Sequence, residues 1–361
     1  MQPRPAIADL TPYEPGKPAA EVRRETGLHR VVKLASNEGA YGPFPAALEA
    51  IERHVRGLNR YPEQSYELIE RLAQEHAVAP GQVALGNGAD ALIGYLSAAY
   101  LDPGDEAAMC WPSFQSYVLD ARKMGGVPVH APLRDGAYDL DELAARIGRR
   151  TRLVYVCTPN NPTGSMVGRE PLRRFLDAVP EQVLVVVDQA YREYIDDPDY
   201  PDAIAEHVGR RPNVAVLRTF SKIYGLAGLR IGYLVGPPET VRELGRVRNA
   251  FDVSELAHVA ALASLGETGE LARRRELVAE GRHELLAGLR ELSVPVHPTC
   301  ANFLCAEVGD GRAVASALLR EGVIVRPLHA VDAPGSIRVT VGTPEEHAVF
   351  LDALGRALPH R

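Results

Sequence analysis

The feature that most constrains the fold is an alternation of short apolar runs with longer amphipathic stretches between residues 41 and 250. The apolar runs are rich in β-branched residues, which is typical of strands buried on both faces. Stretches such as 89–100, 170–179 and 204–209 have the residue spacing of helices. Strands separated by helices predict an α/β domain with three layers, in which a helical layer on each side covers a largely parallel central sheet (αβα). The predicted strands are 83–85, 106–110, 127–131, 152–157, 183–187, 213–217 and 230–235.

The two ends of the chain have a different character. Proline is frequent in the first forty residues, and its fixed φ favours an extended arm lying over a surface. After Pro237 and Pro238, helices combine with three more strands, a pattern that indicates a smaller α+β domain. The elements predicted there are helices at 239–292 with a break near 266–269, a helix at 312–320, and strands at 302–307, 322–327 and 336–341. The predicted division is an arm at 1–40 that packs on the small domain or on a dimer partner, a large domain at 41–250 and a small domain at 251–361.

Composition narrows the possible partners. The chain has 40 Lys and Arg against 47 Asp and Glu, and it has no basic block of the kind that binds nucleic acid. No apolar run approaches the roughly 20 residues that span a bilayer, and the N-terminus lacks the apolar segment of a secretory signal. Its four cysteines occur singly, as is typical of free thiols in a reducing compartment. We therefore expect a cytoplasmic protein that binds small molecules, without a metal, membrane or nucleic-acid partner.

Two segments have the composition of ligand-binding turns. Residues 86–90, Gly-Asn-Gly-Ala-Asp, follow a predicted strand and open a helix, where free N–H groups can hold a phosphate. An ordinary strand-to-helix turn has the same pattern. Residues 157–164, Cys-Thr-Pro-Asn-Asn-Pro-Thr-Gly, begin where a strand ends, at the sheet edge where open α/β sheets bind ligands. Two prolines around two asparagines favour a functional asparagine over a simple turn.

Two further segments place ionisable groups after strands. Asp188 ends a fully apolar strand, and a carboxylate in such a position needs a partner: a cationic ligand group, or else the start of the next helix. The stretch 219–232 contains Ser221, Lys222 and Arg230 among small and apolar residues. A lysine in apolar surroundings loses its proton readily and can form a Schiff base, while hydroxyls and Arg suit a phosphate. An amine, a carboxylate, an asparagine and a phosphate cradle together predict pyridoxal 5′-phosphate.

From its N-terminal arm to its C-terminus, the chain resembles the histidinol-phosphate aminotransferase family of the fold-type I aminotransferases, which use this cofactor. The Lys222 segment and the Asn-Asn-Pro-Thr-Gly segment are the most specific motifs. The other matching motifs lie at 13–18, 33–38, 41–43, 60–62 and 337–343.

The resemblance implies a role for each residue of the site. Lys222 is expected to form the Schiff base with the cofactor and to carry the proton in catalysis. Asp188 is expected to pair with the ring nitrogen, Asn161 and Tyr191 with the phenolic oxygen, and Phe114 is expected to stack on the ring. The residues implied for the rest of the cofactor site are Gly88, Ala89, Asp90, Thr219, Ser221 and Arg230, together with Tyr61 from the second subunit of a homodimer. Those implied for substrate binding are Arg338, Arg326, Asn37 and Tyr13.

The resemblance also implies a reaction, in which histidinol phosphate and 2-oxoglutarate give imidazole acetol phosphate and glutamate in histidine biosynthesis. The planar fork of Arg338 suits either the phosphate or a carboxylate. Three features depart from the family pattern: Gly39-Ala40 stand in place of Asn-Pro, Gln189 in place of Glu, and Phe114 lacks a hydroxyl.

Phe114 and residues 41–45 also resemble the branch that transaminates aromatic amino acids, so phenylalanine remains an alternative donor. Decarboxylation of a phosphorylated amino acid is a second alternative. A non-catalytic regulator that binds the cofactor is a third, although no basic helix-turn-helix segment precedes the predicted cofactor domain.

Overall fold

The computed structural model describes residues 3–8, 10, 16–63 and 66–358. Most of its strands form one eight-stranded sheet, in the order β2-β9-β8-β7-β6-β3-β4-β5. The strands in chain order are β1 (Val32–Lys33), β2 (Val83–Gly86), β3 (Glu106–Trp111), β4 (Val127–Arg134), β5 (Ala137–Tyr138), β6 (Thr151–Cys157), β7 (Leu184–Asp188), β8 (Val214–Thr219), β9 (Gly232–Val235), β10 (Phe303–Glu307), β11 (Val323–Ile324), β12 (Arg326–Pro327) and β13 (Ser336–Thr340).

The centre of the large sheet is parallel. Strands β8, β7, β6, β3 and β4 run in the same direction, whereas β9 is antiparallel to both of its neighbours and β5 is an antiparallel edge. Every residue of β7 and β8 is buried, because helices cover both faces of the sheet. The predicted αβα fold is therefore confirmed; six of the seven predicted strands lie within two residues of their predicted bounds, and β4 continues three residues beyond its predicted end.

Helices surround this sheet and continue into the C-terminal part. Helix α5 packs on β2, β8 and β9, and α7 packs on β3 and β4. The helices are α1 (Pro5–Ala8), α2 (Ala19–Thr26), α3 (Pro45–His54), α4 (Tyr66–Glu75), α5 (Gly88–Tyr100), α6 (Gln115–Lys123), α7 (Leu140–Ala145), α8 (Arg169–Ala178), α9 (Ala203–His207), α10 (Pro238–Val247), α11 (Glu255–Ser264), α12 (Thr268–Glu291), α13 (Gly311–Arg320) and α14 (Pro344–Ala357). Within the described ranges, no helix is long and apolar enough to cross a membrane.

The C-terminal strands form two small sheets. Strands β10, β13 and β12 form an antiparallel sheet, and β11 pairs in parallel with β1 from the N-terminal segment. The single strand predicted at 322–327 is therefore two short strands that belong to different sheets. An apolar run indicates a strand but does not show which strand it pairs with. The change from one sheet to another at Val325 could therefore not be predicted from the sequence.

The prolines of the N-terminal arm predicted an extended chain, but part of the arm is helical. Residues 19–26 form α2, which ends at Gly27 with φ +72°. Good helix formers such as Ala, Glu and Arg outweigh the single preceding proline, which can stand before a helix without loss. Val22 on this helix packs with Ala35 and Ile324, so the arm is anchored to the C-terminal part. The division of the chain at residues 40 and 250 stays a prediction.

Candidate active site

A cavity of about 380 Å³ lies at the carboxyl edge of the eight-stranded sheet. Strands β6, β7 and β8 end there in parallel, at Cys157, Asp188 and Thr219. Chain segments that follow parallel strands meet at one edge of a sheet, which is why residues distant in sequence converge here. The predicted residues among those lining the cavity are Asn37, Ala89, Asp90, Phe114, Asn161, Asp188, Tyr191, Thr219, Ser221, Lys222, Arg230, Arg326 and Arg338.

Lys222 places its amine inside this cavity, three residues after β8 ends. Its Nζ lies 3.5 Å from the carbonyl oxygen of Ser36 and 5.5 Å from the centre of the Tyr191 ring. Desolvation lowers the pKa of Lys222 to about 8, and the positive charge of Arg338 acts in the same direction. A large share of these side chains is therefore neutral, and nucleophilic, near pH 8.

Asp188 faces the cavity from the end of β7 and is 4% exposed. Its Oδ1 accepts the N–H of Ala190 at 3.0 Å, and its Oδ2 accepts the hydroxyl of Tyr117 at 2.6 Å. Burial raises the pKa of Asp188, while these two donors oppose the shift by favouring the carboxylate. Tyr117 was not predicted as a site residue. The only signal for it is its position one helical turn after Phe114.

The turn between β2 and α5 forms a cradle with Arg230. Gly88 has φ +80°, and a Cβ at this position would lie 2.6 Å from Nη2 of Arg230, so only glycine allows the guanidinium to pack on the turn. Ala89 and Asp90 are in the first turn of α5, whose N–H groups have no acceptor within the helix. The cradle thus combines a cation, the positive end of a helix dipole and free donors, the features of a phosphate site.

Two hydroxyls from the turn after β8 join this cradle. The Thr219 hydroxyl donates to Ser221 Oγ at 3.0 Å, and the backbone N–H of Ser221 donates to Thr219 Oγ1 at 3.1 Å. Both side chains line the cavity beside Arg230. Hydroxyls in this position can donate to the oxygens of an anion.

The two asparagines of the Asn-Asn-Pro-Thr-Gly segment have different roles: one stabilises the loop, and the other faces the cavity. Asn160 is fully buried and holds the loop, because its Nδ2 donates to the carbonyl oxygen of Pro112 at 3.1 Å and to Thr163 Oγ1 at 2.9 Å. Asn161 lines the cavity, and its Oδ1 accepts a hydrogen bond from Arg338 Nη1. The side chain predicted to act at the site is therefore the one that faces it.

Asn37 and Tyr191 meet on another wall of the cavity. Asn37 Nδ2 donates to the hydroxyl oxygen of Tyr191 at 3.0 Å, and Asn37 is almost fully buried. Burial raises the pKa of Tyr191, so its hydroxyl keeps its proton and can donate to a ligand. Phe114 also lines the cavity at the start of α6, and its ring makes a T-shaped contact with Tyr117 at a centroid distance of 5.6 Å.

Two arginines approach the cavity from the C-terminal sheet. Arg326 on β12 is the register partner of Arg338 on β13, so the two cations lie side by side. Arg338 Nη2 donates to the carbonyl oxygen of Ala35 at 2.8 Å. Leu328 and Val331, from the segment that follows β12, line the cavity beside them and were not predicted. Leu and Val are common at core positions, so these two residues could not be predicted as site residues from the sequence.

Of the described predicted residues, Gly88 and Tyr61 do not line the cavity; Gly88 lies in the cradle against Arg230. Tyr61 is 76% exposed and stacks on Phe251 at a centroid distance of 4.4 Å. The next residue, Asp252, accepts the N–H of Asn87 through Oδ2 at 3.1 Å, which places the aromatic pair near the 86–90 turn. A contact of Tyr61 with a second subunit stays a prediction. Tyr13 lies outside the described residues.

The departures from the family pattern have structural counterparts. A Cβ at Gly39 would lie 2.7 Å from the carbonyl oxygen of Lys222, so the missing side chain lets this segment approach the lysine turn closely. Gln189 points away from the cavity: its Oε1 accepts from Arg218 at 3.0 Å, and its Nε2 donates to the carbonyl oxygen of Pro201 at 2.9 Å. Within the described part of the chain, no group of three or more His, Cys, Asp or Glu side chains is arranged to hold a metal ion.

Comparison with known proteins identifies the family. Residues 29–354 match the family model described as aminotransferase class I and II. The chain belongs to the class I and II aminotransferases. It is 43% identical to a histidinol-phosphate aminotransferase of Moorella thermoacetica over 98% of this chain and 92% of that protein. It is 41% identical to a histidinol-phosphate aminotransferase of Caldicellulosiruptor saccharolyticus over 98% of this chain and 99% of that protein.

Solved structures of aminotransferases have the same fold. The crystal structure of histidinol-phosphate aminotransferase from Sinorhizobium meliloti, in complex with pyridoxal-5′-phosphate, superposes with a TM-score of 0.89 at 28% identity, covering 98% of this chain and 96% of that one. Aspartate aminotransferase from Thermus thermophilus with maleate gives a TM-score of 0.85 at 26% identity, covering 94% of each chain. The fold-type I architecture expected from the sequence is therefore confirmed.

Proposed function

We propose that this enzyme is a pyridoxal-phosphate-dependent aminotransferase that converts histidinol phosphate and 2-oxoglutarate into imidazole acetol phosphate and glutamate. One observation carries the proposal: the Lys222 amine, the Asp188 carboxylate and the Gly88–Arg230 cradle surround a single cavity. The choice of substrate is supported by relatives that are 41% and 43% identical over nearly their whole length and are named histidinol-phosphate aminotransferase.

The residues present fit pyridoxal phosphate at both of its ends. The cofactor supplies an aldehyde carbon and an electron-withdrawing ring that takes up charge from the substrate Cα. Lys222 would attach it, Asp188 would keep its ring nitrogen protonated, and Phe114 would cover the ring. Its phosphate would lie against Arg230, the first turn of α5 and the Thr219 and Ser221 hydroxyls, where the absence of a Cβ at Gly88 makes room for Arg230.

Lys222 is also placed to act as the general base and acid. Proton transfer is most efficient when the pKa of the side chain is near the working pH. The amine has a pKa of about 8, so it can take a proton from the substrate Cα and return it without a large energetic penalty at either step. The nearby charge of Arg338 helps to keep the amine neutral.

The anionic ends of the two substrates would bind at Arg338 and Arg326. A guanidinium can hold either a phosphate or a carboxylate through paired hydrogen bonds, so the same arginines serve histidinol phosphate and 2-oxoglutarate in turn. Asn161 orients Arg338 through the Nη1–Oδ1 hydrogen bond. Tyr191, with Asn37 behind it, would donate to the phenolic oxygen of the cofactor.

We further propose that the working unit is a homodimer in the cytoplasm. Large apolar side chains of α3, of the segment that follows it and of the start of α4 are exposed, and Tyr61 among them stacks on the exposed Phe251. Such a patch is typical of a subunit interface, and it includes the Tyr61–Phe251 pair near the cofactor cradle. Free thiols suit a reducing compartment, and all four cysteines are free. The exposed side chains of this patch are Leu48, Val55, Leu58, Tyr61, Tyr66 and Phe251.

A donor screen tests the function. The enzyme is loaded with pyridoxal phosphate, and glutamate formation from 2-oxoglutarate is followed with histidinol phosphate, phenylalanine or another amino acid as donor. We expect kcat/KM to be highest with histidinol phosphate, and a higher value for phenylalanine would overturn the substrate assignment. Release of carbon dioxide without consumption of 2-oxoglutarate would indicate a decarboxylase. If no donor converts the bound cofactor to its amine form and none releases carbon dioxide, the protein is a non-catalytic binder.

A further inference from the structure

We propose that Tyr117 is a positioning residue that fixes the Asp188 carboxylate for the ring nitrogen of the cofactor. The inference rests on the proposed function, because it assigns Asp188 to that nitrogen. Its basis is a hydrogen bond of 2.6 Å between the Tyr117 hydroxyl and Asp188 Oδ2, buried beneath the cavity wall. Tyr117 itself does not line the cavity and is 0% exposed.

The tyrosine ring is held on two sides. It stacks on Tyr155 of β6 with centroids 4.3 Å apart and planes 9° apart, and Phe114 meets it edge-on at 5.6 Å. Aromatic contacts of both kinds are favourable and restrict ring rotation. Because Phe114 and Tyr117 lie at the start of α6, one helical turn presents both a ring to the cavity and a hydroxyl to the carboxylate.

Asp188 accepts one hydrogen bond from the protein at each carboxylate oxygen. Ala190 N–H occupies Oδ1 at 3.0 Å, and the Tyr117 hydroxyl occupies Oδ2. An ionised carboxylate accepts about four hydrogen bonds, so each oxygen keeps capacity for a cationic N–H from the cavity. Without Tyr117, one oxygen of a buried carboxylate would lose its only side-chain donor within the described chain, and the group could rotate or take up a proton.

This arrangement predicts that the hydroxyl acts through Asp188 and not through the core. The variant Tyr117→Phe keeps the ring and both aromatic contacts. We expect it to weaken binding of pyridoxal phosphate to the cofactor-free protein by about tenfold or more, the usual effect of losing a hydrogen bond to a charged group. Tyr155→Phe is the matched control: it also removes a buried hydroxyl from the same stacked pair, but that hydroxyl makes no hydrogen bond to Asp188. Its affinity should change less than twofold.

A double-mutant cycle separates positioning from packing. In the Asp188→Ala background, Tyr117→Phe should alter the dissociation constant of the cofactor less than twofold, because alanine leaves the hydroxyl no acceptor at this position. Equal losses in both backgrounds, or equal losses in Tyr117→Phe and Tyr155→Phe, would show a merely structural hydroxyl and overturn the proposal. Thermal unfolding of the cofactor-free variants checks that all are folded. A wild-type protein that binds no pyridoxal phosphate would overturn the proposed function as well, whereas normal binding with an unaffected Tyr117→Phe would overturn only this inference.

Discussion

Arg338 Nη1 is hydrogen-bonded to Asn161 Oδ1, although the two residues belong to different sheets and are 177 positions apart. The contact fixes the guanidinium on the C-terminal sheet relative to the loop that follows β6. Because Oδ1 of Asn161 is occupied, Nδ2 would be the atom that donates to a cofactor oxygen in the proposed site. In the proposed function, substrate anchoring at Arg338 and cofactor binding at Asn161 would be coupled through this one hydrogen bond.

Replacing Arg338 with lysine should therefore impair substrate binding more than chemistry. Arg338→Lys keeps the positive charge that lowers the pKa of Lys222, but it loses the planar fork and the Asn161 contact. We expect KM for histidinol phosphate to rise by roughly tenfold to a hundredfold, the effect of about 1.5–3 kcal/mol for a hydrogen bond to a charged group, with a smaller change in kcat. Arg356→Lys, at an exposed ion pair with Glu321, is the control. An unchanged KM for Arg338→Lys would remove this residue from the substrate site.

The amine of Lys222 should be reactive at a lower pH than the other lysines. In the cofactor-free protein, reductive methylation with formaldehyde followed by peptide mass spectrometry reports the neutral fraction of each amine. We expect half-maximal reaction of Lys222 near pH 8, because desolvation and Arg338 lower its pKa. Arg338→Met should move that midpoint upwards. The exposed Lys123 serves as an internal reference, and equal profiles for the two lysines would contradict the prediction.

The same shift has a consequence for stability. The folded pKa of Lys222, about 8, lies below the unfolded value, so between pH 8 and 10.5 the unfolded chain binds more protons and the free energy of unfolding rises with pH. Below pH 8 the folded chain must hold a charge in a partly buried, desolvated position. Lys222→Met in cofactor-free form should therefore be more stable than the wild type at pH 7, by at most about 3 kcal/mol. The advantage should shrink as the pH approaches 10.5, as measured by urea unfolding.

Sequence patterns were sufficient for the frame of the fold, and together with the family resemblance they predicted half of the residues that line the cavity. Strands such as β7 and β8 are buried on both faces, so local composition alone reveals them, and motifs at strand ends share one sheet edge by geometry. Tyr117 was missed because a tyrosine in a helix gives no sign of a partner 71 positions away. The split of 322–327 depends on tertiary partners, which a local pattern does not specify. Helix α2 was missed for a local reason, because the prolines of the arm were given more weight than the helix formers at 19–26.

The exposed aromatic pair predicts the position of the subunit interface. If Phe251 packs against a second copy, Phe251→Asp should place an unpaired charge in that contact and shift the protein towards monomers. Sedimentation velocity at micromolar concentration measures the change. Val127→Asp is the control, because Val127 is also exposed, at 42%, but lies on β4 outside the proposed patch. Identical sedimentation of wild type and Phe251→Asp would place the interface elsewhere.

Gly225 belongs to the lysine turn, the turn at residues 222–225 that follows β8 and carries Lys222, and it tests which contacts fix the position of this turn. Its φ is +71°, and a Cβ there would overlap the carbonyl oxygen of Gly42. The turn therefore packs backbone against backbone on the 41–43 segment, where Arg274 donates to the carbonyl oxygens of Ile223 and Pro43 at 3.2 and 3.3 Å.

Because neither segment can yield without breaking these hydrogen bonds, Gly225→Ala should lower the free energy of unfolding by about 3 kcal/mol or more. It should also weaken cofactor binding, since the turn carries Lys222. Gly228→Ala is the matched control three residues further on: no atom lies within 4 Å of a Cβ at that position, so its unfolding free energy should change by less than about 0.5 kcal/mol. Urea unfolding of the two cofactor-free variants decides the matter, and equal stabilities would mean that the approach of Gly225 to Gly42 is not what holds the lysine in place.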